Sequence, residues 1–185
     1  MPSQNSGLPG RINAIALMTN GDILAITGCG LGDDLVHFDR NGKVVSRVPN
    51  IVSSAKNDSV VVFELHPAVD GLGNLFIADS SSSAPYVYQY SPAGKYVNRF
   101  GGRGKQLGQF GPFIGPLAID GQSRVYVRDT NTVDVFDATG RFVTIIDSAL
   151  YGGSALDLAI NQATNEIYVV GSKDKIYKLA LNAAK

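Results

Sequence analysis

Four five-residue segments of mostly apolar residues align without gaps along the chain. They are residues 23–27 (ILAIT), 75–79 (LFIAD), 125–129 (VYVRD) and 167–171 (IYVVG). All four are rich in β-branched or aromatic residues, which favour extended structure, and each follows a turn signal such as Asn20-Gly21-Asp22. The pattern therefore predicts four equivalent β-strands, one in each of four repeats.

Further strands surround each aligned segment. Strands are expected before it at residues 14–17, 68–70, 117–120 and 156–160, and after it at residues 35–39, 87–91, 133–137 and 176–180. Three repeats then continue through a hairpin containing glycine into an outer strand, near residues 44–48, 96–100 and 142–147. The fourth repeat has no convincing outer strand in its last residues.

Antiparallel units of four strands that recur at intervals of roughly 40 to 50 residues are typical of propeller blades. The sequence thus predicts an all-β protein with almost no helix, a β-propeller of about four blades. Their approximate bounds are residues 11–48, 60–101, 113–147 and 154–181. An ordinary β-sandwich is the alternative, but a sandwich does not require the same strand and turn pattern at a fixed phase.

Two repeats also carry a family resemblance. Residues 71–113, with Gly-Asn before the second strand, Ala-Asp at its end and an exit closing on Gly-Gln-Phe, resemble an NHL-type repeat, and residues 118–143 look like the same repeat. The likeness extends to the bacterial six-bladed β-propeller proteins. It implies that four blades form a partial ring or a fragment, with self-association through open blade edges, and a closed four-bladed ring is the alternative. Two blades depart from the pattern, with Thr27-Gly28 and Val170-Gly171 in place of Ala-Asp.

Composition narrows the classes of partner. The apolar fraction of 44% predicts a folded chain, and 16 Lys and Arg balance 16 Asp and Glu, so no global field concentrates nucleic acid. The single cysteine, Cys29, excludes an intrachain disulfide. No apolar run reaches the length of a membrane span or a signal-peptide core, so no membrane insertion is expected. The compartment stays open, and the resemblance favours an extracytoplasmic location if the chain is a fragment.

Any site is expected on the loops between second and third strands and on the crossings between blades. Asp79 and Asp129 end equivalent strands, where their carboxylates either bind a cation or hydroxyl-rich ligand or accept backbone N–H groups of their own turns. Asn131 lies in the loop after Asp129, and His66 heads an inner strand with Glu64 nearby. These residues are candidate ligand-binding groups.

Two cations, Arg103 and Lys105, complete the candidate set. They lie among glycines in residues 99–110, which superficially suggests a phosphate cradle or an RNA contact. The other interpretation is a crossing between blades that is packed by Phe100 and Phe110. Because the net charge is zero, the chain is not expected to bind nucleic acid.

No complete catalytic constellation is present in the sequence. It therefore predicts a non-catalytic, NHL-like binding or scaffold module, without a cofactor, whose loop face binds a protein, peptide or glycan. The alternative is a metal-dependent propeller enzyme of the lactonase or lyase kind, with Ca²⁺ or Zn²⁺ in the channel. Inner-strand side chains would have to hold that ion, and the supply consists of Asn13, Glu64, His66, Asp120 and Asp157.

Overall fold

The computed structural model describes residues 11–27, 33–56, 62, 64–81, 84–172 and 175–180. In that part of the chain the secondary structure is β-sheet apart from a four-residue α-helix and one 3-10 turn. The strands are β1 Ile12–Leu17, β2 Ile23–Thr27, β3 Asp34–Phe38, β4 Val44–Val48, β5 Leu65–Val69, β6 Leu75–Asp79, β7 Tyr86–Tyr90, β8 Tyr96–Gly101, β9 Leu117–Ile119, β10 Val125–Arg128, β11 Thr132–Phe136, β12 Phe142–Asp147, β13 Ala155–Asn161, β14 Glu166–Gly171 and β15 Lys175–Ala180.

Each blade is one antiparallel sheet whose strands follow chain order from the inside outwards. Blade one is β1 to β4, blade two β5 to β8, blade three β9 to β12, and blade four contains β13 to β15 within the described residues. The expectation of an all-β propeller built from antiparallel blades is confirmed. The bounds predicted for β2, β4, β6 and β12 are those observed, and the remaining strands differ by a few residues at their ends.

The second strands of blades one to three are buried on both faces, which explains why their sequences are continuous apolar runs, whereas in β14 of blade four only alternate residues are buried. Leu75 and Ile77 face blade one, where they pack with Leu24 and Ile26. Phe76, next along the strand, faces blade three instead. The same alternation is found in blade three, and Ile167 and Val169 of blade four face blade three. Three apolar layers, one between each pair of successive blades, thus hold the four sheets together.

The inner strands pack in series around the centre. β1 lies against β5, β5 against β9, and β9 against β13. No comparable packing joins β1 to β13 among the described residues. Completion of a ring of six blades and self-association through blade edges therefore stay predictions.

A cluster of aromatic rings lies where blade two passes into blade three. The ring of Phe136 is 4.8 Å from that of Phe100 and 5.5 Å from that of Phe110, measured between centroids. The interpretation of residues 99–110 as a crossing packed by these two phenylalanines agrees with this geometry. Gly101 has a φ of 93°, and an added Cβ would lie 2.1 Å from the Phe110 ring.

One carboxylate is buried within the interface between blades two and three. Asp134 lies opposite Val127 on the face that packs against blade two, and it is 5% exposed. Burial raises the pKa of Asp134 to about 6, and the nearby charge of Asp129 adds to this. A hydrogen bond from the Thr132 hydroxyl, at 2.7 Å, opposes the rise in pKa without cancelling it. The ionised carboxylate is thus an unfavourable element of the fold.

None of the helices in the described ranges has the length and apolar composition that a membrane span requires.

We expect Gly101→Ala to lower the free energy of unfolding by about 2 to 4 kcal/mol, because it adds both backbone strain and overlap with the Phe110 ring. Gly42→Ala is the matched control, since Gly42 has a φ of 82° and open space around its Cβ position. That variant should lose only about 1 kcal/mol. Urea unfolding measures both, and equal losses would contradict the packing argument.

We expect Asp134→Asn to stabilise the protein at pH 7, by about 1 kcal/mol, because the amide removes a buried charge and still accepts from Thr132. A raised pKa means that the folded chain holds the Asp134 proton more tightly than the unfolded chain. The stability of the parent should therefore fall, relative to the variant, as the pH rises from about 4 to about 6. Thermal unfolding of the two proteins across this range measures the difference.

Asp137→Asn is the control of opposite sign. The Thr139 hydroxyl and neighbouring backbone N–H groups lower the pKa of Asp137 to about 2. This carboxylate therefore stabilises the fold above its ordinary pKa, and its contribution is lost as the pH falls from about 4 to about 2. The variant should be less stable than the parent at pH 7. A stability gain from both substitutions would contradict the assignment of Asp134 as a buried, unfavourable charge.

Candidate binding site at the loop face

One end of every blade carries the loops between second and third strands and the crossings between blades. Because inner strands begin and second strands end there, these segments gather on one side of the propeller. We call this side the loop face. Its described residues are 33, 49–56, 62, 64, 80–81, 84–85, 101–116, 129–131, 148–154 and 172.

Carboxylates at the ends of strands tie the crossings to the blades. Asp33 accepts hydrogen bonds from the backbone N–H groups of Val52, at 2.5 Å, and Ser53, at 2.8 Å, where α1 (Ser53–Lys56) begins. Asp129 accepts from the backbone N–H of Gly111 at 2.9 Å, in the crossing between blades two and three. These carboxylates therefore fix the path of the chain from one blade to the next.

The third of these carboxylates, Asp79, forms a buried ion pair. Nζ of Lys56, the last residue of α1, donates to Oδ2 of Asp79 at 2.8 Å, and both side chains are almost completely shielded from solvent. Oγ of Ser81 donates to the other carboxylate oxygen at 2.5 Å. The pair joins the crossing after blade one to β6, the second strand of blade two. With its oxygens occupied in this way, Asp79 contributes to the fold rather than to an open site.

A mixed cluster of charged and polar side chains lies where inner strands reach the loop face. Glu64 directly precedes β5 and His66 lies on it. Arg128 ends β10, and Asp157 lies on β13. Nε2 of His66 lies 3.9 Å from Oε1 of Glu64. Burial lowers the pKa of His66 and the charge of Arg128 lowers it further, while Glu64 and Asp157 oppose the change. Because this pKa lies below the ordinary value of 6.5, His66 is mostly neutral at pH 7. The residues of the cluster come from three blades.

Arg128 is the member that the sequence did not reveal as a candidate. Three of the lysines and arginines in the described part of the chain are not exposed, and two of them, Lys56 and Arg124, are paired with carboxylates. The third is Arg128, whose buried Nε has no hydrogen-bond partner among the described residues. The signal in the sequence was an arginine at a strand position that is Ile26, Ala78 and Val170 in the other blades.

The candidates from the sequence are distributed over the loop face. His66 alone belongs to the mixed cluster, and Asp79 and Asp129 are buried under the crossings. Arg103 and Lys105 are exposed in the crossing that precedes β9, and Asn131 is exposed with its carbonyl accepting from the hydroxyl of Tyr151 at 3.3 Å. The described residues include no group of three or more His, Cys, Asp and Glu side chains placed to hold a metal ion.

Large apolar side chains are also exposed around these groups. Leu107, Phe113 and Leu150 lie in the crossings of the loop face, and all three are more than half exposed. Among the described residues in the turns at the opposite end of the blades, the large exposed apolar side chain is Leu72. The loop face therefore combines apolar contact area with a charged centre, as protein-binding surfaces do.

Comparisons with known proteins agree with the fold. The chain is similar to a protein of unknown function from Bacteroides caccae, with 14% identity, a TM-score of 0.58, and coverage of 95% of this chain and 58% of that one. It is also similar to the WD40 domain of Neurospora crassa Pan2, with 14% identity, a TM-score of 0.61, and coverage of 92% and 49%. The chain thus spans roughly half of each of these two structures. At this identity the likeness shows the propeller fold alone.

No family model and no curated protein matches the sequence. The resemblance to the NHL-type repeat therefore stays a prediction.

We expect Lys56→Met to lower the free energy of unfolding by about 3 to 5 kcal/mol, because it leaves the Asp79 carboxylate buried without a partner. Lys56→Met combined with Asp79→Asn should recover part of that loss, since an amide carries no charge. Lys178→Met is the surface control, because it breaks an exposed ion pair with Glu166 and should cost less than about 1 kcal/mol. Similar losses for the two single lysine variants, measured by urea unfolding, would refute a structural role for the buried pair.

Proposed function

We propose that this chain is a non-catalytic binding module that takes a protein or peptide segment on its loop face. The observation that carries the proposal is the exposure of Leu107, Phe113 and Leu150 on the face that also holds the mixed cluster. Exposed apolar side chains beside a few polar groups supply contact area and orientation at interfaces. Leucine side chains contribute little to sugar recognition, which favours a protein or peptide over a glycan.

The charge of the cluster bears on the metal-dependent alternative. A divalent ion held by Glu64, His66 and Asp157 would lie within the field of the Arg128 guanidinium, which acts on His66. That positive charge repels a cation and attracts an anionic group. The cluster is therefore better suited to binding than to the lactonase or lyase chemistry that the sequence left open.

We expect Phe113→Asp to weaken peptide binding about tenfold or more, because it places a charge within the apolar part of the loop face. The probes are peptides selected on the purified protein from a displayed library of random dodecapeptides, with dissociation constants measured by calorimetry.

Leu72→Asp provides the matched control, because Leu72 is also more than half exposed and lies in the turn at the opposite end of blade two. The peptides that were selected on the parent protein should bind this variant with unchanged affinity. Enrichment of no peptide, or equal weakening by the two variants, would contradict binding at the loop face.

A further inference from the structure

We propose that Arg99 is an anchor for a carboxylate of the bound peptide, an inference that rests on the proposed function and specifies the partner as acidic. Arg99 lies on β8, two residues before the end of that strand, and therefore borders the loop face. The residue is exposed, and no ion pair joins it to another described residue. An accessible and permanently charged group is thus available to a partner.

Blade one contains an equivalent arginine that already binds a carboxylate. Arg47 is the fourth residue of β4, as Arg99 is of β8. Nε and Nη2 of Arg47 both donate to Oδ2 of Asp34, the first residue of β3, with Nε at 2.8 Å. An arginine at this position of an outer strand is therefore placed to bind a carboxylate at the start of the neighbouring strand.

In blade two a tyrosine stands where blade one has that carboxylate. Asp34 and Tyr86 each begin the third strand of their blade, opposite the last residue of the second strand. The guanidinium of Arg99 lies over the Tyr86 ring, with Cζ 4.4 Å from the ring centroid. Arg99 is thus stacked on a neutral ring, whereas Arg47 is paired within its own sheet. The carboxylate that blade one supplies internally can come from a ligand in blade two.

The surroundings of Arg99 hold its guanidinium without neutralising it. A hydrogen bond with the Tyr88 hydroxyl raises the pKa of Arg99 above its ordinary value. The other groups that act on its charge are the hydroxyls of Tyr86 and Tyr96, so no carboxylate of the described residues is among them. Tyr88 is buried in the apolar layer between blades one and two, and Tyr86 packs against that layer. A guanidinium held in this way loses little conformational freedom when it binds.

The charge of this part of the chain favours an anionic partner. Residues 80–119 contain no Asp or Glu, and their basic residues are Lys95, Arg99, Arg103 and Lys105. Arg103 and Lys105 are exposed in the crossing that follows Arg99, as is the apolar side chain of Leu107. A peptide that carries carboxylates beside an apolar residue complements this surface.

The same geometry disfavours a nucleic acid as the partner. Proteins that bind single strands stack the bases on exposed aromatic rings, but Arg99 covers one face of the Tyr86 ring. A planar carboxylate matches the N–H donors of an arginine, and the pair of Arg47 with Asp34 is an example within this chain. An acidic peptide is therefore the partner that we infer, and binding of nucleic acid is an outcome of the test.

The test uses dodecapeptides selected from the random library on the purified full chain. We expect these peptides to be enriched in Asp and Glu relative to the library. Synthetic versions with Asn and Gln in place of Asp and Glu should bind about tenfold more weakly in calorimetry, because they lose a charged hydrogen-bond acceptor. In Arg99→Gln the acidic peptide should already bind about tenfold more weakly. The amide substitution should then have little further effect, which identifies Arg99 as the partner of the carboxylate.

Tyr86→Asp provides an internal competitor for the peptide. It introduces at the start of β7 the carboxylate that Asp34 provides in blade one, so Arg99 keeps its charge but is paired within the sheet. We expect acidic peptides to bind this variant about tenfold more weakly than Tyr86→Asn, the matched variant without the charge. Arg40→Gln, in an exposed turn at the opposite end of blade one, should leave binding unchanged.

Several outcomes would overturn the anchor. The first is a set of selected peptides without acidic enrichment, and the second is an amide substitution that weakens binding equally in the parent and in Arg99→Gln. A third is equal affinity of an acidic peptide for folded Tyr86→Asp and Tyr86→Asn. A decauridylate that binds the parent more tightly than the peptides, and loses this affinity in Arg99→Gln, would identify nucleic acid as the partner instead.

Failure of the anchor is distinguishable from failure of the proposed function. If peptides without carboxylates bind as tightly, and Phe113→Asp weakens them while Arg99→Gln does not, the anchor is wrong and the binding module stands. If no peptide is selected, the proposed function fails and the anchor fails with it.

Discussion

The paths of the crossings depend on a small number of carboxylates that are buried beneath them. Three apolar layers hold the blades face to face, but apolar packing has no direction and does not decide where the chain passes between sheets. Asp33, Asp79 and Asp129 supply that direction, because each accepts hydrogen bonds from a defined point of a crossing. Blade four has Gly171 in place of such a carboxylate. Its crossing is a 3-10 turn capped by Asp147, which accepts from the N–H of Ala149 at 2.8 Å.

This use of carboxylates determines what remains for a ligand. A group whose lone pairs are occupied by Lys56 and Ser81, as those of Asp79 are, has little capacity for a further partner. The side chains available at the loop face are therefore those of the inner strands and of the crossings themselves. Arg128 differs because it occupies a strand end without a partner for its buried Nε. The fold uses its acidic strand ends internally, and at the end of β10 it holds a partly buried arginine.

Much of the fold could be predicted because each strand of the blade recurs in several repeats, and the repeats can be compared with one another. The strands Leu75–Asp79 and Ile23–Thr27 have the predicted bounds. Their residues are buried on both faces, so each strand appears in the sequence as one apolar run with clear ends. The helix α1 was not predicted, because its four residues form only where Asp33 caps them, nineteen or more positions away. A contact at that separation leaves no local pattern in the sequence.

The candidate site could be predicted only in part, for a related reason. His66 was found because histidine is rare in this chain and stands at the head of an inner strand. Arg128 was missed because an arginine at a strand end is ordinary until the structure shows that its Nε is buried beside Gly115 and lacks an acceptor. What distinguishes a structural ion from a binding group is thus the balance of partners within a few ångströms. Residue type and spacing do not encode that balance, because the groups that act on His66, Arg128 among them, come from three different blades.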